Sequence, residues 1–129
     1  MPGYKPARTV PGEGSARVTL RFMDVDRHLE AFNEAVRTGD WPRFAQRFSE
    51  DAEMRFVGVP VGPFAGRDEI EGGYLADPPD DTISRTAEPR WEGDEQVVPF
   101  QWDSTGQTGT MRFVWSSDGL VRSLTVSFD

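Results

Sequence analysis

Tyr74, Asp103 and the pair Asp24 and His28 are the side chains whose type and spacing could do chemistry. Tyr74 lies four residues after Ile70 on one helical face, so its ring points inward. Its hydroxyl could orient a ligand oxygen or act as an acid, or could belong to a core tyrosine that bonds a backbone carbonyl or solvent. Asp103 ends a strand beside a turn, and the two-residue period points it away from Val98, Phe100 and Trp102. A bulge at the turn would re-aim it as an acid or base; without one, Asp103 forms the turn with Ser104. His28 follows Asp24 by one helical turn, and an Asp–His pair can serve as a general base. On the helical wheel, however, His28 falls at the edge of the apolar stripe beside Leu29, which reads as a surface or rim histidine. Asp80 and Asp81 are adjacent carboxylates. Adjacent positions point apart, so they read as solvated acids rather than a cation site.

The bulk composition narrows the choice. The 129 residues contain no cysteine and one histidine, so thiol chemistry and multi-histidine metal sites are excluded, and neither metal nor cofactor is expected. A net charge of −8, with 13 Arg and one Lys, argues against nucleic acid and anionic membrane as partners. No apolar run approaches the roughly 18 residues of a membrane span. The N-terminus has no uninterrupted apolar core of a signal peptide, so a cytoplasmic protein is expected.

Residues 1–16 hold three Pro and three Gly and read as a tail. Val18, Leu20 and Phe22 alternate as in a short strand, so residues 1–22 read as an N-terminal extension to a domain spanning 23–129. Val25, Leu29, Phe32 and Val36 form one face of a first helix ended by Gly39. Asp40 caps a second helix with Pro42 in its first turn and Trp41, Phe44, Ala45 and Phe48 on its apolar face. Residues 53–57 alternate as a strand. Asp68 is expected to cap a short third helix in which Gly72 and Gly73 cost about 1 kcal/mol each, which suggests a close neighbour or an early end. Turns at Glu92-Gly93-Asp94, Ser104-Thr105-Gly106 and Asp118-Gly119 separate three strands. Their apolar faces are Val98, Phe100 and Trp102; Met111, Phe113 and Trp115; and Leu124, Val126 and Phe128. Helices followed by antiparallel strands make an α+β domain with about three helices on one face of a bent sheet.

Five stretches in this order resemble a known family. They are Thr38-Gly39-Asp40, Phe48-Ser49-Glu50-Asp51-Ala52, and Gly62-Pro63-Phe64-Ala65-Gly66-Arg67 before Ile70 and Tyr74, then the helix-to-strand linker. The last is the three closing strands with Gly119-Leu120-Val121 and Leu124-Thr125-Val126. Together they resemble the nuclear transport factor 2-like superfamily of cone-shaped proteins, which includes ketosteroid isomerases and SnoaL-like polyketide cyclases. The resemblance implies a cavity between helices and sheet, lined by Phe32, Phe56, Tyr74, Trp102, Met111 and Phe113. In ketosteroid isomerases the helix-one oxyanion-hole Tyr, the general base Asp and its protonated partner Asp fall where this chain has Phe32, Phe56 and Met111. None of the three can move a proton, so that isomerase mechanism is not supported. The Arg-x-Asp signature of epoxide hydrolases on this fold is also replaced, by Met111-Arg112-Phe113.

The resemblance further implies a homodimer through the outer sheet face, where Arg55 and Arg112 would pair with acids. It implies a SnoaL-like enzyme that cyclises, isomerises or eliminates on an apolar polyketide- or terpenoid-like molecule. The alternative is a non-catalytic hydrophobic-ligand binder or dimeric assembly module. Phe32, Phe56, Met111 and Phe113 would either line a dry pocket or fill the cone.

Overall fold

The computed structural model describes the backbone of residues 13–129 and the side chains from residue 24 onward. Helix α1 runs over Glu13–Thr38. Val25, His28, Leu29, Phe32 and Ala35 are buried along it, because steps of three and four return to the same side of a helix. The alternation of Val18, Leu20 and Phe22 therefore marks no strand; that backbone is helical and continuous with the remainder of α1. Val18 and Phe22 are also one helical turn apart, so over five residues the two periods cannot be told apart. The first twelve residues of the expected extension lie outside the described residues.

Gly39 ends α1 at φ +82°, and its N–H donates to the Ala35 carbonyl at 2.7 Å. The Asp40 carboxylate accepts from the Arg43 N–H at 3.2 Å and caps α2, Trp41–Ala45. Helix α3 covers Arg67–Ala76 and follows Gly66 rather than an Asp68 cap. Asp68 and Glu69 instead occupy its first turn, where negative charge suits the N-terminal dipole. Glu69 also reaches back to accept from the Ala65 N–H at 2.9 Å.

Seven strands complete the domain: β1 Phe48–Val57, β2 Phe64–Ala65, β3 Ile83–Arg85, β4 Arg90–Glu92, β5 Glu95–Trp102, β6 Thr108–Trp115 and β7 Val121–Phe128. The sheet order is β2-β1-β7-β6-β5-β3, with β4 pairing a separate part of β5. One pairing, β1 with β7, is parallel, so the sheet is mixed rather than wholly antiparallel. The connection between these two strands contains α3 and the strands β2 to β6, ample for a parallel crossover. Registers place Val98, Met111, Val126 and Phe56 in one row across β5, β6, β7 and β1. That row lies on the concave face, where the helices contribute Phe32, Trp41, Phe44 and Ile70 to the same core.

Two close approaches hold this face in shape. A Cβ added at Gly109 would stand 2.4 Å from the Ser127 carbonyl oxygen and 2.7 Å from the Phe100 ring. Gly109→Ala is therefore expected to cost about 1–3 kcal/mol, because the opposing atom is backbone and cannot yield. Urea unfolding would show it as a lower midpoint at unchanged slope. On β3, Asn33 clamps the strand from α1: its Nδ2 donates to the Ile83 carbonyl at 2.9 Å, and its Oδ1 accepts from the Ile83 N–H at 2.9 Å. Asn33→Ala leaves both groups of Ile83 unpaired at a partly buried site, and a loss of about 1–3 kcal/mol is expected. Faster amide exchange confined to residues 83–85 would locate the effect on β3.

On the outer face, Arg55 pairs with Glu53 at 3.0 Å. Arg112 bonds Glu92 at 2.9 Å and Glu95 at 3.3 Å. Strand β7 separates β1 from β6, so the two arginines are not neighbours and each has its own acid. Thr110, Thr125 and Ser127 lie in the registers between them.

Candidate functional site

The helices meet the concave face tightly around Phe44, Phe48 and Phe113, all buried. Elsewhere they leave a recess of about 80 Å³. Helix α1 brings Phe32 and His28 to it, α3 brings Tyr74, β1 brings Phe56, and β5 and β6 bring Trp102 and Met111. Leu124, Val126 and Phe128 of β7 form its floor, with Ile83 and Pro79 at the side. The walls are aromatic pairs. Phe56 stacks on Phe128 at 6.4 Å, and Phe32 meets Trp102 at 6.4 Å and Tyr74 at 6.3 Å. A liquid water takes about 30 Å³, and a benzene-binding cavity about 150 Å³. The aromatic side chains thus fill most of the cone, and the space left over admits the end of a molecule rather than a ring system.

Tyr74 stacks on Trp41 at 4.7 Å and an interplanar angle of 5°. Its hydroxyl donates to Met54 Sδ at 3.5 Å, a weak acceptor. Burial pushes the phenol above its ordinary value of 10.0, so it is a neutral donor and not an acid near neutral pH.

Asp103 lies outside the recess. Its two oxygens accept from the Thr82 hydroxyl and the Ser84 hydroxyl, each at 2.7 Å, and these bonds hold its carboxyl below the usual range. It ties the turn after β5 to β3 instead of facing a ligand. Asp103 and Ser104 share the turn closed by the Gly106 N–H on the Trp102 carbonyl at 2.7 Å, and the Ser104 hydroxyl donates to Asp81 at 2.7 Å. Phe113 is also absent from the recess lining. It lies beneath the His28 ring, 5.1 Å between centroids, two positions along β6 from Met111.

His28 is no surface or rim residue. It is 2% exposed and lines the recess, between the rings of Phe44 at 5.0 Å and Phe48 at 5.7 Å. Arg47 Nε donates to His28 Nδ1 at 3.3 Å, and Arg47 also donates to the Asp24 carbonyl at 3.3 Å. The partner of Nδ1 is thus a guanidinium rather than a carboxylate. Burial first, and the Arg47 charge second, depress the imidazole from 6.5 to about 3. The signal for burial was present in the sequence, since His28 is three residues after Val25 and four before Phe32.

The recess can therefore enclose an apolar group and offer neutral hydrogen-bond donors; it holds no group poised to trade protons near neutrality. Among the described residues no three His, Asp or Glu side chains gather as a cation site. Among them, too, no helix is long and apolar enough to cross a membrane.

The family model of the SnoaL-like domain matches residues 29–120, more than half of the 129. The chain belongs to the SnoaL-like domain family. This SnoaL-like domain is similar in structure to an NTF-2 like protein of unknown function from Burkholderia xenovorans LB400. The TM-score is 0.62 at 16% identity, over 85% of this chain and 86% of that one. It is similar also to a Bacillus subtilis protein named "Putative Isomerase", at TM-score 0.64 and 15% identity, over 84% of this chain and 88% of that one. At such identities the likeness shows the fold alone. No curated protein matches the SnoaL-like domain in sequence. Within it, Phe32, Phe56 and Met111 line the same recess and give it an apolar wall.

Proposed function

We propose that this SnoaL-like domain receives the apolar end of a polyketide- or terpenoid-like molecule in the recess. There it promotes cyclisation, isomerisation or elimination by holding a reactive conformer. The observation that supports this reading is the lining itself: Phe32, Phe56 and Met111 meet at the place where helices and sheet leave space. The two titratable groups of the lining are not poised to trade protons near neutral pH, since His28 is depressed and Tyr74 is raised, so a proton lost or gained in the reaction would pass to or from solvent.

The same pair of shifts favours a second reading, a non-catalytic binder of a hydrophobic ligand. Native mass spectrometry after exposure to cell extract tests both, since a retained ligand of defined mass supports the recess. Turnover of that ligand by the protein separates the enzyme from the binder. Repeated recovery of empty protein would defeat both readings.

The proposed assembly is a homodimer through the outer sheet face, where Thr110, Thr125 and Ser127 are partly buried small polar residues between the two arginine pairs. Light scattering should then give twice the 14.5 kDa chain mass, and Thr125→Arg should reduce it to one chain.

A further inference from the structure

We propose that His28 is the polar contact of the recess, a neutral imidazole that donates its Nε2–H to a carbonyl-type oxygen on the end of the ligand. This rests on the reading of the recess as a ligand site.

The tautomer is dictated by Arg47. A guanidinium has donors only, and its Nε–H is directed at His28 Nδ1. Nδ1 must therefore present a lone pair, and the single proton of a neutral ring sits on Nε2. Protonating Nδ1 as well would aim two N–H groups at each other beside a full positive charge. The proton is thus held at one atom by a residue outside the recess, for Arg47 lines the groove between α1 and α2 on the other side of the ring.

Nε2 has no protein partner among the described residues. It is not sealed in either: the one fully enclosed side-chain polar atom without a partner among them is Gln96 Nε2. His28 lines the recess, and with Nδ1 turned to Arg47 the nitrogen assigned to that space is Nε2. Phe44, Phe48 and Phe113 pack around the imidazole and hold its plane, so the donor is fixed in direction before any ligand arrives. The apolar wall accepts many molecules of the right width, whereas this donor selects those with an oxygen at the tip.

Two small acyclic probes of equal shape test this, butan-2-one and 2-methylbut-1-ene, each narrow enough for a recess of about 80 Å³. As the protein has one histidine, its imidazole proton and nitrogens can be followed by NMR without assignment ambiguity. Both probes are expected to shift the Trp102 and Met111 signals, and the ketone alone should move the Nε2–H resonance. The ketone should bind about tenfold more tightly, the equivalent of one hydrogen bond. In His28→Phe that preference should vanish while 2-methylbut-1-ene still binds. Equal affinities with an unmoved Nε2–H would overturn the role of His28 and leave the recess intact. Binding of neither probe would overturn the recess and the role of His28 together. The wild-type NMR comparison stands even if the variant fails to fold.

Discussion

Between pH 7.5 and pH 5.0 the protein is expected to lose about 2 kcal/mol of stability through one side chain, His28. In the unfolded chain the imidazole titrates at about 6.5; in the fold it titrates at about 3. The folded value is the lower of the two, so below 6.5 the unfolded state takes up a proton that the native state refuses. Stability is then full above about pH 7 and falls by about 1.4 kcal/mol per unit as the pH drops below 6. Two features produce the shift: enclosure among Phe44, Phe48 and Phe113, and the Arg47 guanidinium facing Nδ1. Arg47 is itself drawn below its ordinary value by burial, opposed by Asp24 and reinforced by Arg27. Urea midpoints at the two pH values measure the effect, and pH 5.0 stays above the range of most carboxylates. His28→Phe should flatten the dependence. An unchanged wild-type midpoint across this interval would show that the imidazole protonates in place.

Phe32→Ala is expected to cost about 3–5 kcal/mol, as is usual for removal of a buried aromatic ring. Phe32 is 6% exposed and meets Trp41, Phe44, Tyr74 and Trp102 edge-on or tilted. It stands at the junction between the packed core and the recess. Its removal should therefore join new space to the existing 80 Å³ and let the variant bind a ring that the parent excludes. Thermal unfolding with and without naphthalene tests this: the variant should regain part of its lost Tm, and the wild type should show no shift. A variant with no gain would mean that neighbouring side chains had collapsed into the gap. A loss under about 1 kcal/mol would contradict the packing described for this residue.

How much of the fold and the recess is legible in the sequence varies with the length of the pattern. Strand β6 alternates over all eight residues, and β5 and β7 alternate over 98–102 and 124–128, so those faces are readable. β2, β3 and β4 are two or three residues long, too short for any period to declare itself. Their existence depends on partners distant in the chain, such as Asn33 for Ile83. Gly73 is readable as a site of close approach, but only the fold shows that the neighbour is the Phe64 ring, with a Cβ at Gly73 falling 2.7 Å from it. His28 reads wrongly as a rim residue because a titratable group is ordinarily assigned to the edge of an apolar stripe. Its burial is made tolerable by Arg47, nineteen residues away, and nothing local announces that contact. Met111 and Phe113 share a face of β6, yet the helices rest on one and stop short of the other, which alternation alone cannot distinguish.

The margins of the sheet bear on how copies of this chain can meet. Its exposed margins are β2 of two residues and β3 and β4 of three, and β4 carries Arg90 and Glu92 bonded to each other. A free strand edge is a template for runaway strand addition, and short, charged edges suppress it. The long strands β6 and β7 lie inside the sheet, whereas β1 is paired on its outer edge only at Glu53 and Met54. Strand addition at the margins β2, β3 and β4 is therefore disfavoured, which leaves a face of the sheet rather than its edge for the proposed dimer.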